Sequence, residues 1–337
     1  MEMVFILILN WNGWKDTIEC LESVFRLNYP NFRVILCDNN SQDGSLEQIK
    51  KWAKGEFVQL NDTLFIELFE IPLLKPISFV EYNRLEAESG GNIFDQSSLV
   101  FIQTGANLGF AGGNNVGIRY ALARNDFDYI WLLNNDTVVV PDTLSQLVKR
   151  MEENKNIGFC GSSIRFYDES DKLQTLGGGV YNPWFGISKH IATQQKVSVH
   201  VCHQKIERRL SYISGASMLV SKGVLKDVGL MSEDYFLYYE EIDWATRAKG
   251  KYKLGFVPES IVYHKEGRSI GSNNDPQKRS ILAEYYGIKN RIVFTKRYFS
   301  WALPSVYSGL LITLGKRLLY RQWDRVLLIL KIIFQKP

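Results

Sequence analysis

The first 155 residues alternate short apolar runs with longer amphipathic stretches. Apolar runs of strand length occur at 4–9, 32–37, 98–103 and 128–133. Each run precedes a polar loop and a stretch with apolar residues at helical spacing, as with Ile18, Leu21 and Val24. The predicted helices are 14–27, 46–54, 116–125 and 141–154. Such strand–loop–helix units predict an α/β fold with a mostly parallel sheet, helices on both faces, and ligands at the carboxyl ends of the strands.

Two parts of the chain depart from this alternation. Residues 55–97 are acidic, and we expect an insertion that forms a hairpin or a loop over one sheet edge. After Lys155 the pattern changes to glycine-broken strands, a helix that ends near Gly250 and an apolar strand at 253–264. The stretch 265–278 has the composition of a loop, and the last 55 residues are predicted to be helical.

Charge is distributed unevenly along the chain. The 337 residues are 45% hydrophobic, which is enough for one large domain or two smaller ones. The net charge is +4, but residues 278–337 hold twelve Lys and Arg against two acidic residues. That segment therefore carries +10 and the rest of the chain −6. A basic segment on an acidic body predicts a partner with an anionic surface.

The cysteines and the first residues indicate the cellular compartment. Cys20, Cys37, Cys160 and Cys202 are scattered, with no C-x-x-C pair. This spacing disfavours a disulfide framework and a zinc site, and it is typical of a reducing compartment. The apolar run near the first residue lacks a basic start and a small-residue cleavage site, so it predicts a first strand and not a signal peptide.

Polar clusters follow the first two predicted strands. They are Asn10–Gly13 and Asp38–Ser45, with Asp38 at a strand tip where a carboxylate can accept a base N–H or a ribose hydroxyl. Two ordinary turns rich in Asn and Asp are the alternative. The first loop lacks G-x-G-x-x-G, which disfavours a dinucleotide fold and hydride transfer. The glycine-rich stretch 109–115 follows the third of these strands and is a weak signal by itself.

The next cluster combines amides with a carboxylate. Asn134, Asn135 and Asp136 end the 128–133 strand. One carboxylate with neighbouring oxygens can hold Mg²⁺ or Mn²⁺, which takes its remaining ligands from water and substrate phosphates. An Asx-rich turn would explain the same residues. His264, at the end of an apolar strand, is either a core or surface residue or a metal ligand.

A last cluster contains three acidic residues. Glu240, Glu241 and Asp243 lie at a predicted helix start, where acidic side chains suit the helix dipole. The preceding stretch 235–239 is strongly aromatic. Aromatic walls beside carboxylates suit a sugar face and can raise a carboxylate pKa by desolvation.

Taken in order, these residues resemble a family-2 glycosyltransferase of the GT-A fold, and most of all its rhamnosyltransferase-like and galactofuranosyltransferase-like members. The resemblance covers residues 4–299. Its segments are "LILNWNGWKDTIECLESV", "CDNNSQDGS", "NLGFAGGNN", "LLNNDT", "ISGASMLV", "YYEEIDW" and "HKEGRS". It implies a Rossmann-like central sheet in a catalytic domain, 1–277, with a nucleotide-binding half, 1–155, and an acceptor half, 156–277. A helical segment, 278–337, follows it.

The resemblance also implies roles for individual residues. Asp136 matches the metal-binding aspartate of the family's D-x-D motif, and Asn134 replaces its first acid. His264 matches a histidine that completes the metal shell around Mg²⁺ or Mn²⁺. Glu241 stands at the general base position, and Glu240 and Asp243 are further catalytic candidates.

Further matches concern the two substrates. Gly215 and Ala216 match the segment between donor and acceptor. The implied donor-binding residues are Asn10, Asn12, Asp38, Asn107, Gly109, Gly112, Asn114, Asn134 and Asn135.

The implied activity is that of an inverting hexosyltransferase. A sugar, with a rhamnose-like deoxyhexose favoured, would move from a dTDP- or UDP-sugar to a hydroxyl of a cell-surface glycan or a lipid-linked glycan precursor. The departures at Asn134 and Glu241 leave open a non-catalytic nucleotide- or glycan-binding protein on the same scaffold. A nucleotidyltransferase, the other alternative, would need a glycine-rich basic loop after the first strand, where only Lys15 is near.

The C-terminal segment suggests where the protein acts. Its apolar part, about 15 residues, is shorter than the roughly 20 that a transmembrane helix needs. Arg317, Arg321 and Arg325 recur every fourth residue among leucines, which predicts a helix in a membrane interface beside anionic lipids. We therefore expect a cytoplasmic protein, peripheral on the inner face of the cell membrane. A helix packed on the catalytic domain or in a homo-oligomer is the alternative, and the leucine density disfavours nucleic acid.

Overall fold

The computed structural model describes residues 1–56, 63–198, 202–265 and 280–334. The elements of the first half are β1 Val4–Asn10, α1 Trp14–Val24, β2 Phe32–Asp38, α2 Ser45–Lys54, β3 Phe79–Asn83, α3 Arg84–Glu88, β4 Leu99–Gln103, α4 Gly109–Arg124, β5 Tyr129–Asn134, β6 Thr137–Val139 and α5 Thr143–Glu153. A 3₁₀ helix covers Ile66–Phe69.

The second half begins with a run of strands. Its elements are β7 Ile157–Phe166, β8 Leu173–Leu176, β9 Gly178–Asn182, β10 Ile187–His190, α6 His203–Glu207, β11 Tyr212–Ile213, β12 Ser217–Ser221, α7 Lys222–Asp227, α8 Glu240–Ala248, β13 Lys253–His264, α9 Ile281–Tyr298, α10 Leu303–Leu319 and α11 Trp323–Phe334. The 3₁₀ helix Ser300–Ala302 joins α9 to α10.

One large sheet organises these elements. The strand order is β3-β4-β2-β1-β5-β12-β7-β13-β6, with β8 paired to β7. The strands from β3 to β5 are parallel to their neighbours, whereas β12 runs antiparallel to both β5 and β7. A smaller sheet has the order β10-β9-β11. The start of β12 therefore lies at the same edge as the carboxyl ends of β1, β2 and β5.

Helices cover both faces of the large sheet. Along β1, Val4, Ile6 and Ile8 pack in a core with α1, α2 and α5. Phe5 and Leu7 point the other way, into a core that includes α4 and α8. Because alternate residues of a strand face opposite sides, a strand that is apolar throughout is buried on both faces. The predicted architecture, with its helices on both sides, is confirmed.

The segment expected to be a hairpin or loop over the sheet edge contains a strand of that sheet. β3 pairs in parallel with β4, from Phe79 beside Leu99 to Asn83 beside Gln103. A parallel pair needs a crossover connection, and α3 lies within it. The strand is short and half-buried at the edge, so its sequence has no long apolar run to mark it.

The glycine-rich stretch after β4 belongs to a helix instead of a loop. Helix α4 begins at Gly109 and includes Gly113 and Gly117. A Cβ atom at Gly113 would lie 2.5 Å from Leu9, and one at Gly117 would lie 2.4 Å from Leu7. Glycine therefore lets α4 approach β1 closely, and this packing outweighs the low helix propensity of glycine.

The C-terminal segment is helical, as predicted, but its arginines do not form one exposed row. Helix α10 ends at Leu319 and α11 begins at Trp323, so the four-residue spacing crosses a turn. Arg317 is buried with a nitrogen 2.8 Å from Glu284 of α9, and Arg325 contacts the same carboxylate. The prediction of an arginine-lined helix face is wrong, because two of the three side chains point inward to this buried acid.

No helix within the described residues is both long enough and apolar enough to cross a membrane.

Candidate active site

The first two loops are joined by side-chain hydrogen bonds at the carboxyl edge of the sheet. Asn10 and Asp38 are opposite each other in the β1–β2 register, and the Asn10 amide donates to Asp38 Oδ1 over 2.7 Å. Ser41 adds a hydroxyl donor to Asp38 Oδ1 and a main-chain N–H to Oδ2. The Asn12 side chain accepts from the main chain of Gln42 over 2.7 Å. These contacts give Asp38 a fixed orientation.

The loop after β4 is attached to the same network through Asn39. Its amide donates to Asn107 Oδ1 over 3.0 Å, and its oxygen accepts from the main chain of Leu108. Asn107 Oδ1 also accepts from the Gly109 N–H at the start of α4. Asn114 is buried one turn later, where its amide donates to Phe110 O. Asn39 and Ser41 were not among the candidates, although both stand in the polar stretch after β2.

Two glycines shape the start of α4. The N–H of Phe110, which follows Gly109, donates to Phe236 O over 2.9 Å. This bond links α4 to the segment before α8. A Cβ atom at Gly112 would lie 2.8 Å from Leu108 Cβ. The loop after β4 and the segment before α8 are therefore connected through Gly109 and its neighbour.

Gly109→Ala should destabilise the protein by about 1–3 kcal/mol. Gly109 has a φ of +69°, and an added Cβ would lie 2.2 Å from Phe236 O. Gly105→Ala is the matched control, because its φ is +79° but nothing lies within 4 Å of an added Cβ. Urea denaturation of both variants measures the difference. Equal losses would mean that backbone strain alone, without the Phe236 contact, accounts for the effect.

The Asn-Asn-Asp turn after β5 lies between β1 and β13. Asn135 donates its amide to Thr17 Oγ1 over 3.0 Å. Asp136 Oδ1 is 3.1 Å from His264 Nε2, and the Asn134 amide nitrogen is 3.3 Å from that same ring nitrogen. The antiparallel pairing of β6 with β13, which sets Thr137 opposite His264, brings these residues together.

Buried hydrogen bonds orient the His264 ring. Its Nδ1–H donates to the side-chain oxygen of Gln174, a buried residue of β8, over 2.8 Å. This bond directs Nε2 towards Asp136, an arrangement common among histidines that bind metals. Burial raises the pKa of Asp136, but the adjacent His264 and Lys265 outweigh it, and the net effect is a lowered pKa. Gln174 was missed because nothing distinguishes it within an ordinary strand pattern.

A metal ion would find a partial set of ligands here. The described residues contain no group of three or more His, Cys, Asp or Glu side chains that could hold one. Asp136 and His264 supply an oxygen and a nitrogen on adjacent side chains. Two protein ligands fit a cation that takes its other ligands from water and substrate phosphate.

Two acidic residues begin α8 in different environments. Glu240 is buried, and its Oε2 accepts no hydrogen bond from the part of the chain that the structure describes. Burial and then the Glu241 charge raise the pKa of Glu240 well above its ordinary value. Glu241 is half-buried, and its Oε1 accepts the Gly215 N–H over 3.2 Å. Burial raises the pKa of Glu241 as well, against the opposing effect of that N–H.

Asp243, the third acidic candidate, is enclosed by other side chains. Arg247 Nε lies 2.6 Å from Oδ1, and the Tyr298 hydroxyl donates to Oδ2 over 2.8 Å. Tyr235 donates to the same oxygen over 3.3 Å. Tyr298 belongs to α9, so these bonds connect α8 to the C-terminal helices. The arrangement favours a structural role and leaves Glu240 and Glu241 as candidate bases.

Gly215 and Ala216 lie between the two halves of the site. Ala216 O accepts the Asn134 N–H over 3.1 Å, while the N–H of Gly215 donates to Glu241. A Cβ atom at Gly215 would lie 2.7 Å from Glu241 Oε1 and 2.9 Å from the Phe110 ring. The edge of the sheet therefore holds a carboxylate with a raised pKa, which Gly215, Ala216 and Asn134 link to a pair of side chains suited to a cation.

Comparison with known proteins defines the class of this chain. A family model described as glycosyl transferase family 2 matches residues 5–65 and 93–228. The chain belongs to this family. The match covers Asn10 to Ala216 of the site and ends before Glu240, Glu241 and His264.

Individual relatives are more distant. The chain is similar to a low-salt glycan biosynthesis hexosyltransferase, Agl10, of Haloferax volcanii, with 26% identity over 44% of this chain and 46% of the relative. It is also similar to a poly-beta-1,6-N-acetyl-D-glucosamine synthase of Staphylococcus epidermidis, with 22% identity over 80% of this chain and 52% of the relative. The chain spans about half the length of these curated relatives.

A solved structure supports the fold. The mannosyltransferase PcManGT from Pyrobaculum calidifontis, in complex with GDP-Man and Mn²⁺, matches with a TM-score of 0.51 and 15% identity. The match covers 100% of this chain and 88% of that one. Together with the mostly parallel sheet and its flanking helices, this likeness shows the GT-A fold.

Proposed function

We propose that the protein is an inverting glycosyltransferase that moves a sugar from a nucleotide-diphospho-sugar to an acceptor hydroxyl. One observation carries this proposal. The Gly215–Ala216 segment connects Glu241 on one side to Asn134 on the other, and Asn134 adjoins the Asp136–His264 pair. A base and a diphosphate site on opposite sides of one short segment suit attack from the face opposite the leaving group.

Glu241 is the proposed general base. It takes the proton of the acceptor hydroxyl as that oxygen forms a bond to the anomeric carbon. The bond from this carbon to the diphosphate oxygen breaks, and its electron pair leaves with the diphosphate. A raised pKa suits a carboxylate that must accept a proton near neutral pH. The Gly215 N–H keeps the carboxylate in place.

Asp136 and His264 would hold a divalent cation, Mg²⁺ or Mn²⁺. When bound, such a cation offsets the charge that develops on the leaving diphosphate. Gln174 orients the His264 ring for this role. The similar PcManGT structure is a complex with GDP-Man and Mn²⁺, which supports the assignment by analogy.

The sequence resemblance suggests which nucleotide, sugar and acceptor the protein uses. Asp38 and the network around Asn10, Asn39 and Asn107 would bind the nucleoside. A dTDP- or UDP-sugar with a rhamnose-like deoxyhexose is favoured by the sequence resemblance. The acceptor would be a cell-surface or lipid-linked glycan, reached from the inner face of the membrane through the basic C-terminal helices.

The first test is the melting temperature with dTDP, UDP and GDP, each with Mg²⁺, Mn²⁺ or EDTA, followed by turnover of the matching sugar donors. A nucleotide at about 100 times its dissociation constant adds roughly 2.7 kcal/mol to stability. Asp136→Asn should abolish the part of this shift that EDTA removes, because the variant loses the charged metal ligand. Asp324→Asn, an exposed residue of α11, is the control.

Two results would contradict the proposal. A melting shift in Asp136→Asn equal to that of the unchanged protein, in the presence of metal, would remove Asp136 from the cation site. Nucleotide binding without consumption of any sugar donor would favour a non-catalytic binding protein.

A further inference from the structure

An exposed apolar surface combines the β9–β10 hairpin with the start of the C-terminal helices. We define the aromatic face as Trp184, Phe185, Trp301, Ile312 and Leu319. Trp184 is 60% exposed, Trp301 53%, Ile312 64% and Leu319 82%. Grouped exposed apolar residues on a soluble protein mark an interaction site, so this face points to a partner.

The hairpin tip is fixed in place against the helices. The Trp184 and Trp301 rings meet edge to face, with centroids 4.6 Å apart. Ser305 of α10 donates its hydroxyl to the main-chain oxygen of Trp184. The side-chain oxygen of Asn182 accepts from the main-chain N–H of Trp184 over 3.0 Å. Two tryptophans from distant parts of the chain are thus held together while more than half of each remains exposed.

The exposed face continues along α10. Ser308, Ile312, Gly315 and Leu319 follow one another at intervals of three and four residues, which places them on one side of the helix. The opposite side packs through Leu310 into the core shared with α9 and α11. Helix α10 therefore has one covered side and one apolar exposed side.

Basic residues outnumber acidic residues in the hairpin and the C-terminal helices. Residues 178–190 and 280–334 contain ten Lys and Arg against two acidic residues. Glu284 is buried beneath Arg317, which leaves Asp324 as the exposed acid in these two fully described ranges. The exposed basic side chains are Lys189, Lys296, Lys316, Arg321 and Lys331, while the exposed Arg297 pairs with Asp234 and adds no net charge.

We propose that the aromatic face lies in the interface of a bilayer that contains anionic lipids, with Trp184 and Trp301 as its paired anchors. Tryptophan prefers the level of the lipid headgroups, because its ring is apolar and its N–H is polar. An amphipathic surface with basic residues around an apolar stripe binds such interfaces. The hairpin thus extends the membrane contact beyond the C-terminal segment that the sequence pointed to.

The same hairpin connects the aromatic face to the candidate base. Tyr239 directly precedes Glu240 and Glu241, and its hydroxyl donates to Gly186 O in the hairpin turn. The start of α8 is therefore attached to the segment that carries Trp184. A lipid-linked acceptor at the membrane would reach the site from this side, a consequence that rests on the proposed transfer activity.

The test measures binding of the full chain to vesicles by flotation. Vesicles of phosphatidylcholine with phosphatidylglycerol are compared with phosphatidylcholine alone. Trp184→Ala combined with Trp301→Ala should lower partition into the anionic vesicles by about tenfold or more. Ile93→Ala with Phe94→Ala is the matched control, since both side chains are exposed, Phe94 to 83%, and both lie in the segment between α3 and β4. The control should bind as well as the unchanged protein.

Four outcomes are distinguished. Equal partition of the tryptophan variant and the control would overturn it. The proposal would also be overturned if the unchanged protein sediments as a stable dimer and the tryptophan variant as a monomer. A second copy of the chain would then cover the aromatic face. Loss of vesicle binding by the tryptophan variant with an unchanged melting temperature supports it. If the unchanged protein binds vesicles through the tryptophans but turns over no sugar donor, the membrane proposal is supported and the proposed transfer activity is contradicted.

Discussion

Glu241→Gln is expected to lower the rate of sugar transfer by about 10²–10⁴-fold while nucleotide affinity stays the same. The amide keeps the size of the side chain and can still accept the Gly215 N–H, so the site retains its shape. What it loses is the ability to take a proton from the acceptor hydroxyl. Steady-state kinetics with a saturating donor, together with nucleotide titration, measure both quantities.

Glu240→Gln is the matched control on the adjacent residue. Glu240 is buried, whereas Glu241 is half-buried, so only the latter is positioned to meet an acceptor. We expect a much smaller loss in the Glu240 variant. A larger loss there than in Glu241→Gln would reverse the assignment of the base.

The pH dependence of kcat/KM offers a second readout for Glu241. Burial raises its pKa, and a general base must be ionised to act. Activity should therefore fall with decreasing pH at a value above the ordinary glutamate pKa of about 4.3. The Glu241→Gln variant should no longer show this fall in kcat/KM at low pH. If the fall persists in the variant, another group is responsible for it.

The grouping of several candidate residues at one edge of the sheet could be predicted from the sequence. Asn10, Asp38 and Asn134 are the last residues of apolar strands that are parallel, so the three residues had to meet at one edge of the sheet. The contact of Asp136 with His264 could not be worked out from the strand pattern. It depends on β6, a strand of three residues, pairing antiparallel with β13. Such a short strand has too few residues to show a period.

Other features escaped prediction because tertiary packing decided them. The glycines of α4 have the composition of a loop, and only the close approach to Leu7 and Leu9 explains their helical state. The spacing of Arg317 and Arg325 matched an exposed helix face, but a turn at 320–322 and the buried Glu284 direct both inward. Local patterns specify which side of a helix is apolar but not which charged group lies across from it.

Asp243→Asn should show the reverse of the Glu241 result, with a large loss of stability and a small loss of transfer. The carboxylate is fully buried against Arg247, and removing one charge of a buried pair costs about 3–5 kcal/mol. A quarter of the Arg247 side chain is exposed, so we expect the lower end, about 3 kcal/mol. Urea denaturation measures this loss.

Glu47→Gln provides the control, because Glu47 contacts Lys50 of the same helix over 3.4 Å while 72% of its side chain is exposed. Solvent screens an exposed pair, so its loss should cost less than about 1 kcal/mol. The Asp243 variant that remains folded should transfer sugar at a rate near that of the unchanged protein, because Glu241 and Gly215 keep their contact. If the Asp243→Asn protein is stable but transfers no sugar, Asp243 takes part in the reaction. The role of general base would then have to be reassigned from Glu241 to Asp243.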